Sequence, residues 1–140
     1  MRKWLFLLPL LCLSAAAGAD PDLRDGLWEI TTKTEIKGLP ADSMPPNMTH
    51  AMKQCMTRQQ AVPSQPEKNP ACKLLNSKVD GNTVSWIMRC RNPEGTVDST
   101  GRITYSGNTF SGEMRVDTSG KQKMNMVQKM SGRRIGDCKQ

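Results

Sequence analysis

The sequence predicts a mainly β protein: an antiparallel meander sheet, curled or barrel-like, with one short helix and two disulfides. Several stretches of about ten residues alternate between apolar and polar positions, as strands do when one face is buried and the other is solvated. Turn signals built from Gly, Asn and Pro separate these stretches at short spacing, which favours a meander. An even number of cysteines after the first segment predicts the disulfides.

The first segment has the parts of a secretory signal. Arg2 and Lys3 precede an apolar run, and Ala17-Gly18-Ala19 forms a small-residue cleavage site. We therefore expect a signal peptide over residues 1–19, cleavage after Ala19, and a single periplasmic β-rich domain over residues 20–140. The apolar run is too short for a transmembrane helix, so no stable membrane anchor is expected.

The charge of the mature chain argues against nucleic acid as a partner. Cleavage leaves 18 basic and 13 acidic residues, and Arg133-Arg134 is the one adjacent basic pair. Proteins that bind nucleic acids gather Lys and Arg on one face, whereas these residues are scattered along the chain. The net positive charge favours at most a weak preference for anionic surfaces. A monomer is expected.

Four cysteines remain after the signal: Cys55, Cys72, Cys90 and Cys138. In a short exported chain they predict two disulfides. We expect Cys72–Cys90 and Cys55–Cys138, because a hairpin brings the first two to one open end; the alternative is Cys55–Cys72 with Cys90–Cys138. A zinc site is not expected, since there is no Cys-x-x-Cys spacing and one histidine. No cofactor is expected.

The stretch from Cys72 to Cys90 organises the predicted sheet. Gly81-Asn82 is the signal of a two-residue type II′ hairpin loop, because Gly tolerates a positive φ at the first loop position. This register sets Ser77 opposite Trp86, with Trp86 inside the core. It also sets Cys90 opposite Lys73, so a disulfide between Cys90 and Cys72 requires a local bulge or fraying.

The chain before this hairpin predicts a polar, loose terminus over residues 20–25 and a half-buried strand over residues 26–36. Residues 47–56 fit a helix or a strand. We favour a strand, because Thr57 with Gln60 resembles a capping box that starts a short helix over residues 58–62.

The chain after the hairpin predicts strands separated by turns. The turn signals are Asn92-Pro93-Glu94-Gly95, Ser106-Gly107-Asn108 and Thr118-Ser119-Gly120. Met124, Met126 and Met130 line one face of the last strand. Gly132 is expected to mark a bulge before Ile135, where the alternation changes phase.

The order of several short motifs resembles a known family. These are Gly26-Leu27-Trp28-Glu29, Cys55-Met56-Thr57, Cys72, Gly81-Asn82-Thr83, Cys90 and Gly136-Asp137-Cys138. Together they resemble the domain of unknown function 3617 family, small exported proteins of Gram-negative bacteria with a Met- and Pro-rich segment after the first strand. The resemblance covers essentially the whole mature chain. It implies a periplasmic location, and it brings no activity, cofactor or site.

Catalysis is not expected. Triad-type hydrolysis needs a nucleophile beside a base, yet His50 is the single histidine and the cysteines are expected to be oxidised. The carboxylates that could act in pairs fall mostly on solvent-facing strand positions or in turns: Glu29, Glu35, Glu94, Glu113 and Asp117. Solvated charge explains them better than glycosidase chemistry.

Nine methionines remain after the signal, and they are the unusual feature of the composition. Core filling is the simplest explanation, because Met packs irregular gaps where aromatic residues are scarce. The functional interpretation is a binding module for an apolar ligand or an envelope protein. Its candidate contacts are Met44, Met48, Met52, Met56, Trp28 and Trp86.

Two alternatives stay open. One is a protein-interaction or inhibitor domain: an exposed apolar strip around residues 44–56 favours it, whereas an enclosed cavity behind Trp28 and Trp86 favours ligand binding. The other is low-affinity binding of Cu(I). Thioethers and imidazole suit that ion, and a strand places Met48, His50 and Met52 on one side.

Overall fold

A computed structural model describes residues 20–38, 42, 47–66 and 68–139. These residues form one sheet and one 3-10 turn, Arg58–Ala61. The strands are β1 (Gly26–Lys37), β2 (Asn47–Met56), β3 (Cys72–Asp80), β4 (Thr83–Asn92), β5 (Gly95–Tyr105), β6 (Thr109–Gly120) and β7 (Met124–Gly136). Within this described part, no helix is long and apolar enough to cross a membrane.

The predicted antiparallel meander is confirmed. Strands β3 to β7 pair in sequence order, β1 pairs with β7, and β2 lies outside β1, which gives the order β2-β1-β7-β6-β5-β4-β3. The described sheet does not close into a barrel, and β2 and β3 are its two edges. The expected helix is a single 3-10 turn, and the side chain of Gln60 accepts a hydrogen bond from the backbone N–H of Thr57 (2.8 Å) as its capping-box pattern predicts.

The hairpin of β3 and β4 has the predicted register. Gly81 has a φ of +58° and Asn82 has no positive φ, as a type II′ loop requires. Ser77 lies opposite Trp86 as expected. The register shifts at Leu75, and this bulge brings Cys72 opposite Cys90.

Both expected disulfides are present, Cys72–Cys90 and Cys55–Cys138, so the alternative connectivity is wrong. The first closes the open end of the β3–β4 hairpin. The second joins the edge strand β2 to the segment after β7, across the intervening strand β1. One disulfide therefore stabilises each half of the open sheet.

The two faces of the sheet differ in chemistry. Residues directly opposite each other on paired strands share a face, so the face of Trp28 can be followed through the registers of all seven strands. Arg134 is the one charged strand residue on that face among those described. The remaining charged side chains of the strands lie on the opposite face, which we call the charged face.

The buried core occupies one end of the apolar face. Its members are Leu23, Trp28, Ala61, Val84, Tyr105 and Phe110. The Phe110 ring lies between Trp28 and Tyr105, with ring centroids 5.6 and 5.9 Å away. The buried polar atoms are satisfied: Trp28 Nε1 donates to the carbonyl of Arg24 (3.0 Å), and the Tyr105 hydroxyl donates to the carbonyl of Ala61 (3.0 Å).

The expectation of a loose terminus is wrong. Pro21 and Leu23 are fully buried over the core end of the sheet. Gly107 donates a backbone hydrogen bond to the carbonyl of Asp22 (2.7 Å), and Arg24 donates one to Gly107 (3.2 Å). The polar residues of this segment suggested a loose terminus. Its two apolar residues, Pro21 and Leu23, instead cover the core end of the sheet.

Two local expectations about β6 and β7 are also wrong. Strand β6 continues through Gly120, so the chain turns three residues later, at residues 121–123. The bulge in β7 lies at Ile135, where the register to β1 shifts, and not at Gly132. Gly132 instead faces the ring of Phe110, which occupies the space that a Cβ atom would need.

Candidate functional site: a methionine-lined face

The apolar face carries every methionine that the structure describes. They are Met48, Met52 and Met56 on β2, Met88 on β4, Met114 on β6, and Met124, Met126 and Met130 on β7. We call this surface the methionine-lined face. Met44, the remaining methionine after the signal, lies outside the described residues.

The strand pattern gathers these residues from distant parts of the chain. Within each strand the methionines are separated by an even number of residues, so their side chains project on one side. The register then carries that side across the sheet, since Thr32 on β1 pairs with both His50 and Met130, which places β2 and β7 on either side of it. A single contiguous face results, although β2 ends at Met56 and β7 begins only at Met124.

Glycines on this face make room for large neighbours. The side chain of Trp86 fills the position that a Cβ atom of Gly101 would occupy, and Ile103 does the same at Gly112. Flat packing of Trp86 on the backbone of β5 explains why it is half-buried although no strand lies above it in the described part. Large and small residues thus alternate across the strands, as in close-packed interiors.

Burial of this face is greatest at its core end, although Ile36 and Cys72 are also buried at the other end. The segment over residues 20–25 and the 3-10 turn cover the core end, where Trp28 and Val84 are inaccessible to solvent. Away from that end, Met48, Met88, Met114, Met124 and Met126 are half-buried, and Met52 is 44% exposed. The uncovered part is therefore an apolar surface in contact with water.

The two tryptophans proposed as ligand contacts differ in position. Trp28 is fully buried beside Phe110 and belongs to the core, so the native surface offers it to no ligand. Trp86 lies on the same face, half-buried and packed against the core cluster. Contact between Trp86 and a ligand stays a prediction.

The three proposed copper ligands share one side of the edge strand β2. Met48, His50 and Met52 pair with Thr34, Thr32 and Ile30 of β1, so all three side chains point to the methionine-lined face. His50 is exposed and Met48 is half-buried. Metal binding at this triplet stays a prediction, and among the described residues no group of three His, Cys, Asp or Glu side chains could hold a metal ion.

The apolar surface near Trp28 and Trp86 is open. One depression of about 780 Å³ is lined by Pro21, Asp25, Thr57, Arg58 and Val62. Another, of about 510 Å³, has Trp86 and Gly101 in its wall beside Ile87 and Arg102 of the charged face, and neither encloses Trp28. An open apolar strip is the arrangement that favours interaction with a partner over enclosure of a small ligand.

The candidate carboxylates lie on the charged face or in turns and have ordinary partners. Glu29 pairs with Arg133 at 2.8 Å, Glu113 with Arg115 at 3.1 Å, and Asp117 accepts a hydrogen bond from the Asn125 amide. Glu35 lies 3.7 Å from Lys37, and Glu94 lies in the β4–β5 turn. No two of them meet in a cleft among the described residues.

Two groups have shifted pKa values for structural reasons. Arg89 donates two hydrogen bonds to Asp98 (2.7 and 3.0 Å), which lower the pKa of the Asp98 carboxyl and raise the pKa of the guanidinium. Burial raises the pKa of the Tyr105 hydroxyl. Both arrangements stabilise the sheet and neither faces the open part of the methionine-lined face.

The sequence pattern predicted the methionines of β2 as a binding surface, but it did not predict that those of β4, β6 and β7 belong to the same surface. Each of these strands alternates clearly, and Met88 and Met114 sit on its apolar side. The missing information was the strand order, because pairing of β1 with β7 joins the two halves. That contact connects residues about 100 positions apart and leaves no local signal.

Comparison with known proteins identifies one family. A family model described as "Protein of unknown function (DUF3617)" matches residues 23–138. No curated protein and no solved structure matches the chain. The matched residues span the seven strands and all four cysteines after the first segment.

Proposed function

The chain belongs to the DUF3617 family, and on that premise we propose that it is an exported, non-enzymatic domain that binds an apolar ligand of the cell envelope on its methionine-lined face. The proposal depends on one observation. All eight described methionines lie on one face, where seven of them are half-buried and Met52 is exposed.

The exposure of this face supports binding over simple core filling. A methionine that only fills a core is expected to be buried, whereas Met52 is 44% exposed and most of the others are half-buried. Unbranched thioether side chains adapt to ligands of different shape and are frequent at promiscuous apolar surfaces. Exposed apolar patches of this kind mark interaction sites.

The position of the ionisable groups supports a role without catalysis. The charged strand residues, apart from Arg134, face away from the open apolar surface. His50 is exposed at the edge of the sheet, and the described cysteines are joined in disulfides. A non-catalytic domain needs no acid–base pair on its binding face.

The test is binding of a neutral apolar probe, N-phenyl-1-naphthylamine, and of a long-chain fatty acid to the purified mature protein. The double variant Met52→Ser/Met126→Ser removes two partly exposed thioethers and is expected to weaken binding about tenfold, which corresponds to ~1.4 kcal/mol of lost apolar contact. The matched control is Val127→Ser, because Val127 pairs with Glu35 and Arg115 on the opposite face and is half-buried there. Equal weakening by the control, or unfolding of the double variant, contradicts the proposal.

A protein partner is the second candidate, and the openness of the face favours it. An apolar strip bounded by the edge strand β2 suits the apolar side of another polypeptide more than a single small molecule. A segment from an envelope protein would then bind with the same sensitivity to Met52→Ser/Met126→Ser while the fatty acid does not bind. Titration with both kinds of ligand separates the two candidates.

Binding of Cu(I) is supported by the common orientation of Met48, His50 and Met52. His50→Ala is expected to abolish uptake of Cu(I) under anaerobic, buffered conditions and to leave binding of the apolar probe unchanged. The same weak uptake by wild type and variant would discard this candidate.

Export is supported by the disulfides, which persist in oxidising compartments. The expected periplasmic protein begins at Asp20. Mass spectrometry of the protein from a periplasmic extract measures this directly, and an intact Met1 or a lipid adduct would contradict it.

A further inference from the structure

We propose that the charged face of the β3–β4 hairpin docks this protein onto an anionic lipid bilayer. The contact surface consists of two exposed aliphatic residues, Leu75 and Ile87, ringed by basic side chains of β3, β4 and β5. We call it the aliphatic–basic patch, and its members are Leu75, Ile87, Lys73, Lys78, Arg91 and Arg102. It lies on the face opposite the methionine-lined face and is independent of the function proposed above.

The aliphatic part of the patch is created by the bulge in β3. The register shifts between Leu74 and Asn76, and this shift turns Leu75 out of the regular alternation. Leu75 is 52% exposed and lines a depression together with Lys73 and Arg91 of the charged face. Ile87 pairs with Asn76, the residue next to Leu75, and is 38% exposed.

Two depressions flank this aliphatic pair. One of about 360 Å³ is lined by Lys73, Leu75, Arg89 and Arg91. The other, of about 510 Å³, has Lys78, Ile87 and Arg102 in its wall, together with the ion pair of Glu113 and Arg115. Each depression thus combines an aliphatic side chain with cationic groups, which is the combination that a lipid headgroup and its first methylene groups require.

The basic residues of the patch are available to a ligand. Asp98 neutralises Arg89 through two hydrogen bonds, and Glu113 pairs with Arg115. Lys73, Lys78, Arg91 and Arg102 are exposed and form no ion pair with any residue in the described part of the chain. Four cations around two aliphatic side chains therefore face the solvent.

A bilayer is the occupant that uses both components. Lys and Arg near a membrane are attracted to anionic headgroups, and exposed aliphatic side chains bind at the boundary between headgroups and acyl chains. A nucleic acid or a polyanionic chain such as polyglutamate would use the cations and leave Leu75 and Ile87 without an apolar partner. The three most exposed aliphatic residues of β3 and β4 include this pair, whereas the third, Val79, lies on the opposite face.

The test is co-flotation of the mature protein with vesicles of phosphatidylcholine alone or with 30 mol% phosphatidylglycerol. Binding is expected only to the vesicles that contain phosphatidylglycerol. Part of this binding is expected to persist at 0.5 M salt. The variant Lys73→Gln/Lys78→Gln is expected to lower the partition coefficient roughly 30-fold, which is about 1 kcal/mol per charge near the surface. The variant Leu75→Ser/Ile87→Ser is expected to remove the binding that resists salt.

The matched control is Lys53→Gln/Lys129→Gln, which removes the same charge from the far half of the same face. It is expected to lower partitioning less than threefold. Equal losses for the two lysine pairs, no binding to phosphatidylglycerol, or no effect of Leu75→Ser/Ile87→Ser overturns the proposal. Competition by a DNA duplex or polyglutamate that also requires Leu75 and Ile87 overturns it as well.

Discussion

The contact between Gly132 and Phe110 gives a prediction with an internal control. Gly132 lies on β7 directly opposite Phe110 of β6, and a Cβ atom built on it would meet three atoms of the Phe110 ring, the farthest of them at 2.8 Å. Gly132→Ala therefore forces the ring to move or the strands to separate. Gly136, four residues further along the same strand, has no atom within 4 Å of its Cβ position.

The expected loss of stability in Gly132→Ala follows from the packing of the Phe110 ring. Phe110 is buried between Trp28 and Tyr105, and each aromatic pair is worth ~0.5–1.5 kcal/mol beyond its buried area. Overpacking of a core by a methyl group costs ~1–3 kcal/mol, and the more restricted unfolded chain returns ~0.4–1 kcal/mol. We expect Gly132→Ala to lower the free energy of unfolding by about 2 kcal/mol and Gly136→Ala to raise it by about 0.5 kcal/mol.

Urea unfolding followed by tryptophan fluorescence measures both variants with the disulfides intact. A double-mutant cycle with Phe110→Leu isolates the clash, because the smaller side chain leaves room for the methyl group. The cost of Gly132→Ala is then expected to shrink by more than 1 kcal/mol in the Phe110→Leu background. Equal effects of the two alanine variants in the wild-type background would refute the packing argument.

Three further predictions concern other parts of the sheet. Trp86→Ala is expected to lower the free energy of unfolding by about 2–3 kcal/mol, less than a fully buried Trp, because Trp86 is half-buried on Gly101; a change below about 1 kcal/mol in urea unfolding would place it outside the core. The lowered pKa of Asp98 means that its pair with Arg89 stabilises the fold at neutral pH and loses this effect as the pH falls from about 3.9 through the lowered value. The stability difference between wild type and Asp98→Asn is therefore expected to be smaller at pH 2.5 than at pH 7, and the same difference at both pH values contradicts the assignment. Removal of the Cys55–Cys138 bond, which spans 83 residues, is expected to cost ~4.6 kcal/mol, against ~3.2 kcal/mol for Cys72–Cys90, which spans 18. Unfolding of the two paired Cys→Ala variants tests this order, and non-reducing peptide mapping tests the connectivity.

Local patterns predicted those parts of the fold that local chemistry determines. Gly81-Asn82 and the alternation on either side set the register of β3 and β4, because a slip by one residue would reverse the faces. The mismatch between that register and the position of Cys90 indicated the irregularity that the structure places at Leu75. In each case residues close in sequence carry the information.

The errors arose where a distant contact decides the structure. Thr118-Ser119-Gly120 has turn composition, but Gly120 pairs with Gly95 at the end of β5, and the Thr118 hydroxyl accepts a hydrogen bond from the backbone N–H of Met124 (2.9 Å) to close the later turn. A glycine such as Gly132 is typical of a bulge, but here it makes room for the ring of Phe110. A glycine in a strand signals a need for space without saying whether the backbone or a neighbour takes it.

The protection of one sheet edge could not be predicted from the sequence either, because it depends on a single side chain. Gln65 lies in the Pro-rich connection before β3, and nothing in its composition marks it. Its amide donates to the carbonyl of Cys72 and accepts from the backbone N–H of Leu74, both at 2.8 Å, as a neighbouring strand would. With the bulge at Leu75 immediately after, these bonds protect the start of edge strand β3 from pairing with another chain. The open sheet can therefore expose an apolar face to a partner while the backbone of β3 is covered at this point. Binding through side chains then does not entail aggregation by addition of another strand at this edge.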